Sequence, residues 1–187
     1  MKKNVLVISS SLRSGSNSEL LAKAAMEGAA AAGHEVRWLS LKDQAIGFCK
    51  GCRVCHTTAE CVQHDDVPEV IAQLEWADII ISVSPSYWAD VPGQFKAFID
   101  RCTPWCNTHE PHAGLSGGKK GYAVALRTGP GMPECQRVIS SIEHFYGHME
   151  IETCGSLGLC GVERREDVAA RADEIREFCG RISAERE

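Results

Sequence analysis

The sequence lacks three features that would assign the chain to a membrane, secreted or nucleic-acid-binding class. It contains no apolar stretch near the roughly 18 residues that a membrane-spanning helix requires. The apolar run at Val5 to Ile8 is too short for the hydrophobic region of a secretory signal. The formal net charge is −5, whereas nucleic-acid-binding domains are typically basic. We therefore expect a cytoplasmic protein that binds neither membranes nor nucleic acids.

Common nucleotide fingerprints are also missing from the loop after the first apolar run. This loop, SSSLRSGSNS, contains neither G-x-G-x-x-G nor G-x-x-x-x-G-K-[ST], which argues against a dinucleotide or P-loop triphosphate site. Cysteine, in contrast, is plentiful, with ten residues among 187. In a reducing compartment this number favours metal or redox use over a framework of disulfides.

Short apolar runs alternate with helical patterns along the chain. Strands are expected at 5–8, 34–41, 78–85, 119–128 and 149–158, and helices at 17–32, 65–77, 91–102, 133–148 and 164–183. This alternation predicts a parallel sheet covered by helices on both faces. We predict one domain over residues 1–187, an α/β flavodoxin-like three-layer sandwich with a five-stranded parallel sheet in the order 2-1-3-4-5, rather than the Rossmann order. A cysteine-rich insertion is expected at about 47–63.

Ligands of such sheets bind at the carboxyl ends of the strands, where three loops have unusual compositions. The first loop, residues 9–18, has six serines and Arg13 at the start of a helix. Hydroxyl groups, an arginine and free helix N–H groups suit a terminal monophosphate. A serine-rich helix cap without a ligand is the alternative.

The loops after strands three and four fit a planar ligand. SPSYWADVPG (84–93) presents two adjacent aromatic residues that could frame a ring system, although they could instead cap the core. RTGPGMP (127–133) has two glycines that would let the backbone approach a ligand, although a tight turn explains them equally well.

Taken together, the three loops resemble those of the flavodoxin-like NAD(P)H-dependent FMN reductases. This family includes the multimeric flavodoxin-type quinone reductases and, more similar to this chain, the iron–sulfur flavoproteins. Its phosphate loop, G-S-x-R-x-x-S-N-[ST], matches residues 10–18, with Ser10 replacing the leading glycine. The resemblance implies FMN binding by Ser11, Arg13, Ser16, Asn17, Ser18, Pro85, Ser86, Tyr87, Trp88, Thr128, Gly129 and Gly131.

The same resemblance implies a subunit contact and an enzymatic activity. A motif of the F-x-D-R type, at residues 98–101, lies near a subunit contact in the family and indicates a homodimer or homotetramer. The implied activity is electron transfer from NAD(P)H through FMN to a quinone, a flavin or a similar acceptor. No side chain is assigned as a catalytic acid or base, because the flavin carries the redox chemistry.

Four cysteines follow the second strand with the spacing C-x2-C-x2-C-x5-C. The density of thiolates suits a [4Fe–4S] cluster, and the spacing resembles that of the iron–sulfur flavoproteins. The expected ligands are Cys49, Cys52, Cys55 and Cys61. A plain FMN reductase with a similar loop of free thiols is the main alternative, and the spacing does not separate the two.

Zinc and haem fit this segment less well. Structural zinc sites usually place two C-x-x-C pairs much further apart. Residues 52–56 satisfy C-x-x-C-H, but covalent haem attachment belongs outside the cytoplasm and would leave two cysteines unused. The remaining six cysteines, Cys135 and Cys160 among them, are interpreted mostly as small buried apolar residues.

Two function classes therefore remain open from the sequence. The first is an FMN-dependent NAD(P)H oxidoreductase with a small-molecule acceptor. The second is an iron–sulfur flavoprotein that carries electrons between protein partners.

Overall fold

A parallel five-stranded sheet organises the protein. The computed structural model describes residues 2–184, and the sheet has the predicted order β2-β1-β3-β4-β5. Every neighbouring pair of strands is parallel. The strands are β1 (Asn4–Ser9), β2 (Glu35–Ser40), β3 (Ile79–Pro85), β4 (Lys120–Leu126) and β5 (Glu152–Leu159). The flavodoxin-like fold predicted from the sequence is confirmed.

Helices connect the strands and cover both faces of the sheet. They are α1 (Asn17–Ala31), α2 (Cys55–Thr58), α3 (Val67–Trp76), α4 (Gly93–Arg101), α5 (Met132–His148), α6 (Arg165–Ala169) and α7 (Ala172–Ala184). Within residues 2–184, every helix is too short or too polar to cross a membrane.

The residues of β1 point alternately into two separate cores. Leu6 and Ile8 belong to one apolar cluster, which includes residues of α3, α4 and α5. Val5 and Val7 belong to the other, which includes residues of α1 and α7. Successive side chains of a strand point to opposite faces, so a strand buried on both sides must be apolar at each position. This requirement explains the continuous apolar runs of the sequence.

The carboxyl-terminal segment differs from the prediction of one helix over 164–183. The structure has two helices, α6 and α7, separated by Ala170 and Arg171. The backbone N–H of Arg171 donates to the carbonyl of Val168, three residues earlier, at 3.1 Å. This tighter turn interrupts the regular helical hydrogen bonding that the periodic pattern had suggested.

The ends of the cysteine-rich segment are held by two consecutive aspartates. The Asp65 carboxylate accepts hydrogen bonds from the Gly47 N–H at 2.9 Å and from Arg101 Nη2 at 3.0 Å. The Asp66 carboxylate accepts one from the Ala45 N–H at 2.6 Å. Arg101 is 1% exposed and also donates to the Gly47 carbonyl at 3.0 Å. The base of the segment is thereby fixed against the end of α4.

The Asp65–Arg101 ion pair should be needed for stability. Asp65→Asn would leave the buried Arg101 charge without its partner, which typically costs about 3 kcal/mol of unfolding free energy. Chemical denaturation measures this loss. Asp43→Asn is the control because the Asp43 carboxylate, which pairs with Lys42, is 59% exposed, and its loss should cost much less stability than the loss of the Asp65 carboxylate. Equal stability of the two variants would contradict the assigned role.

The same ion pair predicts how stability depends on pH. Burial favours the neutral Asp65 carboxyl, but hydrogen bonds from Arg101 and from the backbone of Gly47 and Val67 outweigh it and lower its pKa. A carboxyl group whose pKa is lower in the folded than in the unfolded state stabilises the fold fully at pH values above its unfolded-state pKa. This stabilisation is lost as the pH falls through the folded-state pKa. Wild-type stability should fall more steeply than that of Asp65→Asn upon acidification below the ordinary aspartate pKa. Parallel pH profiles would contradict this expectation.

Candidate functional site

A cleft of about 310 Å³ opens at the carboxyl ends of the central strands. The backbone hydrogen bonds between strands continue past their ends, from the Ser10 N–H to the Val83 carbonyl at 3.0 Å and from the Ser86 N–H to the Leu126 carbonyl at 2.7 Å. The three predicted loops therefore start beside one another. Nine of the predicted FMN-binding residues line the cleft: Ser11, Arg13, Ser16, Asn17, Ser18, Pro85, Ser86, Tyr87 and Thr128.

The serine-rich loop provides the polar end of the cleft. Ser11, Ser16 and Ser18 are buried, whereas the Arg13 side chain is exposed. Ser16 caps α1 by accepting a hydrogen bond from the Glu19 N–H at 3.2 Å. The N-terminus of α1 thus adds the positive end of its dipole to the hydroxyl groups around it. This combination suits an anion such as a phosphate monoester.

Glu19, which the sequence analysis did not single out, makes a hydrogen bond to the backbone of this loop. Its carboxylate accepts a hydrogen bond from the Gly15 N–H and lies near Lys23, with Oε1 3.6 Å from Nζ. The Gly15 N–H is thereby satisfied within the chain, so the hydroxyl groups and the side chain of Arg13 are among the donors left for a ligand at this end of the cleft. The spacing Ser16-x-x-Glu19 is a capping-box pattern, which was the signal available in the sequence.

The loop after β3 makes a sharp turn that exposes its aromatic residues. The N–H of Tyr87 donates to the Asp90 carbonyl at 2.8 Å, and the N–H of Asp90 donates back at 3.2 Å. The two residues between them, Trp88 and Ala89, have φ angles of 55° and 62°. Both lie in the left-handed region, which non-glycine residues seldom occupy. Trp88 is consequently fully exposed and lines a neighbouring groove instead of the cleft.

The loop after β4 contributes a cation that the sequence analysis missed. Arg127 lines the cleft, and its side chain is 19% exposed. Its Nη1 donates to the Gly131 carbonyl at 2.8 Å, and its Nη2 is 3.1 Å from Oε1 of Glu134. Other cleft residues not predicted are Leu126, Glu134, Val162 and Glu163. Arg127 directly precedes the predicted Thr128, so its position in the sequence was the available signal.

Gly129 and Gly131 lie against the side chain of Arg127, whereas we expected them to lie against a ligand. We predicted that these glycines would let the backbone approach a ligand, but neither lines the cleft. A Cβ atom at Gly129 would collide with the Arg127 guanidinium, and one at Gly131 would lie 3.2 Å from Arg127 Nη1. The glycines therefore give space to the arginine that reaches the cleft.

Two buried polar atoms make the cleft suitable for a polar ligand. Among the described residues, Ser86 Oγ and Arg127 Nε have no hydrogen-bond partner. A buried donor without a partner costs free energy that a ligand oxygen can recover. With Arg13, the serine hydroxyls and the helix N-terminus, these residues give the cleft a polar lining that suits an anionic ligand.

The cysteine-rich segment brings its four predicted ligands to one place. Cys49, Cys52, Cys55 and Cys61 all line a small cavity of about 30 Å³. Burial, followed by the proximity of the other three thiols, raises the pKa of the Cys55 thiol.

The arrangement of these cysteines is nevertheless not that of a metal centre. Cys49 and Cys52 are exposed, and Cys55 and Cys61 are half-buried. Throughout residues 2–184, no three side chains of the His, Cys, Asp or Glu type are positioned to hold a metal ion. A cavity of about 30 Å³ accommodates little more than a water molecule or two. The geometry of the four thiols therefore does not fit a [4Fe–4S] cluster as it stands.

The predicted subunit-contact motif lies at the end of α4. Phe98 and Arg101 are buried, Ile99 is half-buried, and Asp100 pairs with Lys96 on the helix surface, with Oδ1 2.5 Å from Nζ. Arg101 contacts the cysteine-rich segment of its own chain. The homodimer or homotetramer stays a prediction.

Curated relatives of this chain carry the name iron-sulfur flavoprotein. One from Archaeoglobus fulgidus is 35% identical over 132 residues, which cover 71% of this chain and 57% of the relative. Another from Methanocaldococcus jannaschii is 37% identical over 100 residues, which cover 54% of this chain and 52% of the relative. The chain thus spans slightly more than half the length of these relatives.

Solved structures share the fold at low sequence identity. An NAD(P)H:quinone oxidoreductase from Methanothermobacter marburgensis superposes with a TM-score of 0.75 at 14% identity, covering 97% of this chain and 98% of the other. An FMN-dependent NADH-azoreductase from Bacillus anthracis, solved in complex with FMN, gives a TM-score of 0.70 at 13% identity, covering 98% and 100%.

The sequence itself matches a family whose description agrees with the cleft. Residues 3–156, which include all three loops, match the NADPH-dependent FMN reductases. The resemblance inferred from the loop motifs is confirmed, and the chain belongs to the NADPH-dependent FMN reductase family.

Proposed function

We propose that the protein is an FMN-dependent oxidoreductase that takes electrons from NAD(P)H and passes them to a quinone, a flavin or a similar small acceptor. The observation that carries this proposal is the convergence of the three loops on one cleft with two arginines and the N-terminus of α1. Membership of the NADPH-dependent FMN reductase family supports it.

In this proposal the loops hold the two ends of FMN. Ser11, Ser16, Ser18 and the Arg13 guanidinium bind the phosphate through hydroxyl, backbone and charge-assisted hydrogen bonds. Ser86 and Thr128, which also line the cleft, donate to polar atoms of the flavin. Tyr87 gives the ring system an aromatic neighbour. Bound FMN supplies the hydride and single-electron chemistry, and the protein supplies position and access.

The donor and the acceptor reach this site from a neighbouring groove. The groove has a volume of about 980 Å³ and is lined by the exposed apolar side chains of Trp88 and Met132 together with polar residues such as Gln136 and Arg137. Such a surface suits planar molecules, and it also suits contact with a second subunit. A homodimer or homotetramer, as the sequence resemblance implies, would cover the exposed Trp88 ring.

Removal of the Arg13 guanidinium should weaken FMN binding. A charge-assisted hydrogen bond contributes about 1.5 to 3 kcal/mol, which corresponds to roughly 10- to 150-fold in the dissociation constant. Fluorescence titration of apoprotein with FMN measures the difference between wild type and Arg13→Ala. Arg176→Ala is the matched control, because Arg176 is exposed on α7, and its affinity should equal that of wild type. An unchanged affinity in Arg13→Ala would show that the phosphate lies elsewhere.

Turnover tests the enzymatic part of the proposal. The FMN-loaded protein should oxidise NADH or NADPH when a benzoquinone is present, and the absorbance of the reduced nicotinamide measures the rate. Absence of turnover with both nucleotides would overturn the oxidoreductase assignment, while FMN binding measured separately would stand.

The second candidate is an iron–sulfur flavoprotein that carries electrons between proteins. The name of the Archaeoglobus fulgidus relative and the shared cavity of the four cysteines favour it. The thiols would have to rearrange around a cluster, since their present geometry does not fit one. Cys49 and Cys52 are exposed and their loop has no helix or strand, so neither packing nor regular backbone hydrogen bonds hold these two thiols in place.

Anaerobic purification distinguishes the second candidate from the first. Iron and sulfide analysis, with an ultraviolet–visible spectrum, should detect a cluster in wild type and lose it in Cys55→Ser, whereas Cys154→Ser on β5 is the control. A spectrum with flavin bands alone, from protein kept anaerobic throughout, would exclude the hypothesis of an electron carrier with an iron–sulfur cluster.

A further inference from the structure

Two thiols outside the cysteine-rich segment are in direct contact. Cys135 lies in the first turn of α5 and Cys160 directly follows β5, so that 25 residues separate them in sequence. Their Sγ atoms are 3.6 Å apart, and neither is in a disulfide. The interpretation of both as buried apolar residues is incomplete, since Cys135 is buried and Cys160 is only partly buried.

The packing of α5 on β5 keeps these thiols facing each other. Gly158 permits the close approach, because a Cβ atom there would lie 2.9 Å from Met132 Sδ and 3.3 Å from Cys135 Cβ. A disulfide has a sulfur–sulfur length near 2.05 Å, so closure requires a relative movement of about 1.5 Å.

The two thiols differ in access to solvent. Burial, followed by a hydrogen bond with Cys160, raises the pKa of Cys135 to about 12. Cys135 also points its Sγ toward the Leu159 carbonyl at 3.6 Å, inside the sheet–helix interface. Cys160 is the member of the pair that a dissolved oxidant can reach. A buried thiol in contact with an accessible one is placed to condense with a sulfenic acid that forms on the accessible sulfur.

We propose that Cys135 and Cys160 are a redox-active dithiol that hydrogen peroxide converts reversibly into a disulfide. Peroxide first transfers one oxygen to the Cys160 sulfur; the O–O bond breaks, and a sulfenic acid and water form. The Cys135 sulfur then displaces the hydroxyl group, which leaves as a second water with the Cys135 proton. In total the thiols lose two electrons and two protons, and the peroxide is reduced to two waters.

The disulfide would lie beside the cleft already described. The N–H of Gly161 donates to the Gly129 carbonyl at 2.9 Å, and the N–H of Val162 donates to the Arg127 carbonyl at 2.9 Å. The residues directly after Cys160 thus hold the loop that carries Arg127. The dithiol does not depend on the proposed function, because its geometry involves only a residue of α5 and the residue that directly follows β5.

Peptide mapping of the FMN-loaded protein tests the pair directly. After peroxide treatment and alkylation, nonreducing trypsin digestion should yield peptide 128–137, which contains Cys135, linked to peptide 138–164. The second peptide also contains Cys154, so the Cys154→Ser variant serves as the matched control and should give the same link. Cys135→Ser and Cys160→Ser should abolish it. Dithiothreitol should restore both thiols in equal amounts.

If the Cys135→Ser and Cys160→Ser variants fail to fold, mapping of the wild-type protein and of Cys154→Ser is sufficient to overturn the proposal. Recovery of Cys135 as an alkylated thiol while Cys160 accumulates as sulfinic acid would show that Cys135 does not resolve it. A link that disappears in Cys154→Ser would assign the disulfide to Cys154 instead. Either result contradicts the proposed pair.

Discussion

The alignment of the strand ends is the constraint on which the site depends. Backbone hydrogen bonds extend one residue past the strands, from Ser10 to Val83, from Ser86 to Leu126 and from Arg127 to Leu159. Because β1, β3 and β4 are neighbours, the three loops that follow them must leave the sheet side by side. The cleft is therefore a consequence of strand order, and the loop residues determine only its chemistry.

The cysteine-rich segment is held in place by a separate set of contacts. Asp65 and Arg101 fix its base, while the four cysteines lie beyond this base and are partly or fully exposed. The contacts that anchor the segment are therefore made by residues other than the four cysteines.

Much of this architecture could be predicted from the sequence because its signals are local. The apolar run of β3 is buried on both faces, and the serine-rich loop directly precedes α1, so each could be recognised within one short segment. The position of Arg127 in the cleft could not be predicted from the sequence, since the direction of its side chain depends on the space beside Gly129. The contacts of Asp65 with Arg101 and of Cys135 with Cys160 join residues 36 and 25 positions apart. Only the packing of α4 and α5 brings these partners together.

The central claim is that the loop between β1 and α1 binds the phosphate of FMN. A crystal structure of the FMN-loaded protein tests this claim most directly. The account predicts a phosphate at the N-terminus of α1, hydrogen-bonded to the hydroxyls of Ser11 and Ser18 and to the Arg13 guanidinium. A flavin phosphate bound in the groove beside Trp88, with the serine-rich loop unliganded, would contradict it.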